Sequence, residues 1–236
     1  MEEIMTLPFS CCGIRGRGRR KKKLDAKVKQ NMIGSVYDKI APVYDIWGRL
    51  TESKARNRAI ELAEIKDGQS ILEVAVGTGL AFCEILKRNP NGKNIGIDLS
   101  EGMLERARKR ASVFSETGYS LNVGTAFDLK VESNSVDIVM NNYMFDLIPF
   151  EDMDKILVEF KRVLRANGKL ILVNMTAGEG FGSNLYDFIY RISPKTMGGC
   201  RGVELTDRLK RHGFKVTVRE YHQQMLFPSE VILAYK

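Results

Sequence analysis

The residues best suited by type and spacing to do chemistry fall in two short stretches. The first is Ile71-Leu72-Glu73-Val74-Ala75-Val76-Gly77-Thr78-Gly79-Leu80, the second Gly96-Ile97-Asp98-Leu99-Ser100. In the first, an apolar run reaches an acid, and a loop of small residues then opens a helix-forming segment. Gly77 and Gly79 allow tight chain reversal and close backbone approach to a ligand, and the helix that follows offers free N–H groups at its start. Asp98 comes 25 residues after Glu73 at the end of a second apolar run. A carboxylate there is acceptor-only and takes both hydroxyls of a ribose. Together the two stretches predict an adenosine-containing ligand at the switch point of an α/β sheet. A dinucleotide loop reads G-x-G-x-x-G or G-x-G-x-x-A, and counted from Gly77 its last small position holds Phe82. That bulk favours S-adenosylmethionine over NAD.

The elements that must position these residues alternate. Ser70–Val76 reads as a strand, Leu80–Arg88 as a helix stopped by Asn89-Pro90-Asn91-Gly92, and Asn94–Asp98 as a strand. Ser100 caps a helix over Glu101–Val113, with Met103, Leu104 and Ala107 on one face. Strands follow at Ser120–Val123 and Ser135–Asn141, a helix at Asp152–Leu164 and a strand at Lys169–Asn174. Ahead of these, helices are predicted from Asp25, over Tyr37–Trp47 and over Glu52–Ile65. After a helix at Glu204–Arg211, the strands Phe214–Tyr221 and Leu226–Ala234 have no helix between them, so they must pair antiparallel. The expected fold class is α/β: a Rossmann-like, seven-stranded, mostly parallel sheet with helices on both faces and a C-terminal antiparallel pair.

The bulk properties narrow the function classes. The 236 residues suit one α/β domain, and no apolar run is long enough to span a bilayer. No apolar segment precedes the basic run, so no secretory signal is expected. Cys11, Cys12, Cys83 and Cys200 form no C-x-x-C pair, which argues against structural zinc, a metal site or a disulfide framework and points to the cytoplasm. The net charge of +8 is concentrated: residues 1–30 carry nine Lys/Arg against three Asp/Glu, a net +6. The basic balance therefore describes an arm rather than a nucleic-acid-binding face. Residues 1–24 read as a disordered basic tail, and 25–236 as the folded domain. Cys11-Cys12 before the basic run also fits peripheral membrane contact.

The sequence resembles the class I S-adenosylmethionine-dependent methyltransferases, and most closely the ubiquinone/menaquinone C-methyltransferase family. The resemblance runs from about residue 35 onward. Its motifs include Tyr37-Asp38-x-x-Ala41-x-x-Tyr44-Asp45, the Glu73–Gly79 loop, Gly96-Ile97-Asp98-Leu99-Ser100-x-x-Met103-Leu104, Val136-Asp137-Ile138-Val139 and Arg162-Val163-Leu164-x-x-x-Gly168. It implies that Glu73, Ala75, Gly77 and Gly79 lie at the donor's methionine and ribose, and that Asp98 binds the ribose hydroxyls. It implies further that Leu99 and Met103 flank the adenine, that Thr125, Ala126 and Phe127 line its other edge, that Asn141 lies beside the methionine moiety and that Tyr44 closes over the donor. Two residues depart from the wider pattern. Ala75 replaces the first loop glycine, and Thr125 stands where an Asp or Asn usually contacts adenine.

The implied activity is methyl transfer from S-adenosylmethionine to a small, largely apolar acceptor, a quinone-like ring or a lipid. The alternatives are a phospholipid N-methyltransferase, an RNA or protein methyltransferase, and a non-catalytic protein that binds the donor. No sequence-specific nucleic-acid module is visible. The aromatics of residues 177–202 suggest a substrate lid. A base is needed only if the acceptor must lose a proton, and the candidates are Tyr143, Asp146 and His222. Three of the residues named have a plainer reading: His222 as a structural hairpin residue, Met103 as core, Glu73 as a cap for its loop.

Overall fold

The computed structural model describes residues 51–176, 201–225 and 227–236. The tail, the expected helices before residue 51 with Tyr37, Tyr44 and Trp47, and the 177–200 part of the insertion lie outside the described residues.

Helix α1 (Ser53–Ala63) precedes β1 (Ser70–Val74), α2 (Leu80–Arg88), β2 (Lys93–Asp98), α3 (Glu101–Ala111), β3 (Tyr119–Val123) and β4 (Val136–Asn142). Then come α4 (Met153–Val163), β5 (Leu164–Met175), α5 (Thr206–Arg211), β6 (Lys215–Gln224) and β7 (Phe227–Tyr235). The strands form one seven-stranded sheet in the order β3-β2-β1-β4-β5-β7-β6. Strands β1 to β5 pair in parallel, with Val74 opposite both Ile97 and Asn141. Strand β7 inserts between β5 and β6, antiparallel to both. This is the expected fold class, with the short link between β6 and β7 forcing the antiparallel pair.

Strand alternation divides the core. Ile71, Met140, Ile171 and Val231 face α1, α2 and α3, whereas Leu72, Val139, Leu170 and Ile232 face α4 and α5. Buried on both sides, the central strands read as continuous apolar runs, as parallel strands do.

Several boundaries differ from expectation for local reasons. Helix α1 stops at Ala63 because Glu64 turns left-handed at φ 46°. Ser100 caps α3 as predicted, its Oγ accepting from Met103 N at 3.0 Å, but the helix tightens into a 3-10 turn at Ser112–Phe114. The Asn167-Gly168 signal is not a helix stop. Helix α4 ends at Val163, Leu164 already pairs with Val136, and regular pairing resumes at Lys169 opposite Ile138. The intervening residues bulge out, with Asn167 at φ 60°.

Candidate active site

The strand order reverses at β1, whose neighbours β2 and β4 belong to the two halves of the sheet. A crevice must open above the carboxyl ends of these strands, and a cleft lies there. Its walls come from the β1 loop (Val74, Ala75, Gly77), the end of β2 and start of α3 (Ile97, Asp98, Leu99, Ser100, Met103), the segment after β3 (Gly124, Thr125, Ala126, Phe127) and the segment after β4 (Asn142, Tyr143, Met144, Leu147, Ile148).

The glycine loop is left-handed at three positions and is tied to Asp98. Ala75, Gly77 and Gly79 all have positive φ, at 60°, 57° and 82°. Gly77 donates its N–H to Asp98 Oδ2 at 2.7 Å, and Ser100 donates its N–H to Asp98 Oδ1 at 2.9 Å. Two backbone donors thus fix the carboxylate in the wall. Nothing lies within 4 Å of where a Cβ on Gly77 would stand, so the loop leaves open space beside that carboxylate. Gly79 has a different reason to be glycine. A Cβ there would meet Ala107 Cα and Cβ at 3.0 Å, so the residue serves the close packing of α2 on α3 and is not part of the cleft wall.

On the far side, Thr125 Oγ accepts from Phe127 N at 3.3 Å, which braces the turn that carries Ala126 and Phe127. Met103 is both core and wall, being only 1% exposed. Leu99 is 46% exposed at the rim. Glu73 is buried beneath the wall, facing the α1–α3 side. Asn142 Nδ2 donates to its Oε1 at 3.2 Å, while Oε2 has no hydrogen-bond partner among the described residues. Burial pushes its pKa up to about 8, partly opposed by the Asn142 hydrogen bond.

Sequence reading named Asn141 at the end of β4, and the structure places Asn142 on the wall instead. Strand β4 runs one residue further than expected, and alternation turns Asn141 into the sheet, where its Nδ2 donates to Val74 O at 2.8 Å. Leu147 and Ile148 were missed. Leu147 ends, and Ile148 follows, a 3-10 turn, Phe145–Leu147, that carries no sequence signal of its own. Phe145 is in the core against Phe160, with ring centroids 6.0 Å apart.

The candidate bases are all engaged. Tyr143 reaches the wall, but its hydroxyl pairs with Ser229 Oγ at 2.8 Å, and burial raises its pKa well above the ordinary phenol value. Asp146 is fully buried and accepts Met175 N on both oxygens, at 3.0 and 3.1 Å; burial pushes its pKa well up. His222 sits on β6, opposite Ser229, and its Nε2 pairs with Glu220 Oε2 at 3.2 Å. Neither Asp146 nor His222 lines the cleft. Among the described residues, no group of three or more His, Cys, Asp or Glu is arranged to hold a metal, and no helix is long and apolar enough to cross a membrane.

Comparison with known proteins agrees with this geometry. Residues 71–168 match the family model described as a methyltransferase domain. The chain is 32% identical over 150 residues to a demethylmenaquinone methyltransferase of Symbiobacterium thermophilum, covering 61% of this chain and 59% of that protein. It is 29% identical over 150 residues to a 2-phytyl-1,4-naphtoquinone methyltransferase of Trichormus variabilis, covering 61% of this chain and 65% of the relative. The match thus spans less than two thirds of each relative. A crystal structure of a SAM-dependent methyltransferase from Aquifex aeolicus shares the fold at a TM-score of 0.59 and 17% identity, over 89% of this chain and 99% of that one. Residues 71–168 are thus similar to a methyltransferase domain, and the fold is shared with a SAM-dependent methyltransferase of known structure. In sequence the chain is similar to the quinone methyltransferases named above.

Proposed function

We propose that this chain transfers a methyl group from S-adenosylmethionine to a small, largely apolar acceptor, a quinone-like ring or a lipid. The observation that carries the reading is the Asp98 carboxylate, held by two backbone N–H groups beside the open space at Gly77, in an otherwise mainly apolar cleft.

In this reading Asp98 accepts the ribose hydroxyls. Leu99, Ile97 and Met103 flank the adenine, and Thr125, Ala126 and Phe127 close its other edge. Glu73 and Asn142 stiffen the floor under the methionine portion. Bound S-adenosylmethionine supplies a sulfonium-activated methyl group, so alignment and exclusion of water can provide much of the rate. Met144, Leu147 and Ile148, in the segment after β4, form the acceptor wall. Their apolar side chains suit a ring or an acyl chain. Tyr44 closing over the donor, residues 177–202 as a lid, and membrane contact through the basic tail complete the proposal.

The test is an assay of methyl transfer to a demethylated quinone, a phosphatidylethanolamine and an RNA. Transfer to the quinone or the lipid is the expected result, and transfer to the RNA alone overturns the apolar-acceptor reading. Co-sedimentation with anionic vesicles, comparing the full chain with one lacking residues 1–24, tests the tail. Equal sedimentation of the two ends that part of the proposal.

A further inference from the structure

The acceptor wall is built from a segment with little regular structure to hold it. Between the end of β4 and Ile148 the only repeating element is one 3-10 turn, closed by Leu147 N to Met144 O at 3.0 Å and Ile148 N to Phe145 O at 3.2 Å. Phe145 anchors one side of the turn in the core. The carbonyls of Asp146 and Ile148 are directed into the protein, where each needs a donor.

A single side chain from distant sequence satisfies both. Arg201 donates through Nη1 to Asp146 O at 2.8 Å and through Nη2 to Ile148 O at 2.7 Å. It is 2% exposed, and its guanidinium carbon lies 4.4 Å from the Phe150 ring centroid. The backbone just beyond it is tied to β5 by Val203 N to Met175 O at 2.9 Å. The same Met175 donates its N–H to the Asp146 carboxylate. Carbonyls of an ordinary buried turn are usually met by backbone N–H groups or water, at no cost in charge burial. Burying a cation costs several kcal/mol unless its surroundings repay it. Of the side chains, only Arg presents a rigid planar fork that reaches two acceptors at once, and a lysine ammonium cannot replace it.

We propose that Arg201 is a positioning residue that sets the acceptor end of the cleft by clamping the turn that carries Met144, Leu147 and Ile148. The clamp acts through backbone carbonyls and touches neither donor nor acceptor. Its bearing on acceptor choice rests on the proposed function; the clamp itself does not.

The experiment compares wild type with Arg201→Lys, using the full chain. Amide hydrogen exchange is followed separately for residues 143–148, for 71–77 and for 95–100, alongside donor affinity and acceptor kinetics. The expected result is exchange at least tenfold faster in 143–148 and unchanged in the other two segments, with donor Kd within threefold of wild type. Acceptor KM rises at least tenfold, and kcat changes less. Uniformly faster exchange in all three segments marks a general stability effect and overturns the proposal, as does unchanged exchange in 143–148. A donor Kd that rises as much as acceptor KM overturns the assignment to the acceptor end. If Arg201→Lys does not fold, Phe150→Leu, which removes the ring against the guanidinium, is held to the same pattern of exchange. Should the wild-type protein bind no S-adenosylmethionine, the proposed function fails, and the exchange contrast still decides the clamp.

Discussion

The carboxylate of Asp98 accepts the Gly77 N–H at 2.7 Å, joining the end of β2 to the turn after β1 across the switch point of the sheet. One residue therefore both orders the glycine loop and lines the cleft. Asp98→Ala should lower donor affinity by about one to two decades, since a lost charged hydrogen-bond partner is worth about 1.5–3 kcal/mol. The Gly77 and Ser100 N–H groups also lose their acceptor, so the melting temperature should fall. Titration calorimetry and thermal denaturation on the same variant separate the two effects. Wild-type affinity in Asp98→Ala would move the donor site elsewhere.

Three left-handed positions in the loop should respond differently to substitution. Ala75 holds φ 60° without being glycine, so Ala75→Gly should stabilise the fold by roughly 1 kcal/mol through relief of strain. Gly77→Ala places a methyl in the open space beside Asp98 and should weaken the donor more than the fold. Gly79→Val drives its side chain into Ala107 and should destabilise the α2–α3 packing by roughly 2–4 kcal/mol, combining overpacking with backbone strain. Denaturant midpoints and donor affinities for the three variants provide the comparison. Equal effects on stability at Gly77 and Gly79 would contradict the division of roles.

Much of this was legible before the fold, and the reasons are local. Leu80–Arg88 is bounded by a glycine loop and by Asn-Pro-Asn-Gly, so both ends follow from turn chemistry. Asp98 was legible because an acid ending an apolar strand at that distance from a glycine loop has few other uses. Asn142 was confused with Asn141 because sidedness at a strand end depends on where the strand stops, and a one-residue extension reverses it. The clamp from Arg201 joins positions 55 residues apart and leaves no periodic trace. Nothing in the spacing of the last two strands says that β7, rather than β6, lies beside β5; that follows from pairing across the whole sheet.

Glu73 makes stability depend on pH in a definite direction. Burial raises its pKa from 4.5 to about 8, so across that window the folded state holds a proton that the unfolded chain has released. Stability conferred by the protonated form is present at the acid end and is lost as pH rises toward 8, at a limiting slope of about 1.4 kcal/mol per pH unit. Glu73→Gln removes this contribution. Asp146 and Glu230, also raised by burial, remain in both proteins. Urea unfolding from pH 5 to 8.5 should show Glu73→Gln gaining on wild type as pH rises. A constant difference between the two would contradict a protonated Glu73.

The engaged state of the candidate bases predicts mild phenotypes. Tyr143→Phe loses one buried hydrogen bond to Ser229, worth about 1 kcal/mol of stability, and should keep most of its turnover. His222→Ala should leave kcat within about twofold of wild type, because the imidazole faces Glu220 and not the cleft. Tyr44→Ala should impair turnover more than either. A loss of several decades in His222→Ala, measured as kcat/KM, would restore it as a base.

Equilibrium calorimetry on the full chain asks directly whether the cleft above β1, β2 and β4 binds S-adenosylmethionine. One saturable site for S-adenosylmethionine is expected, weakened by about one to two decades in Asp98→Ala, with no competing site for NAD. Binding of NAD with none of S-adenosylmethionine would contradict that expectation.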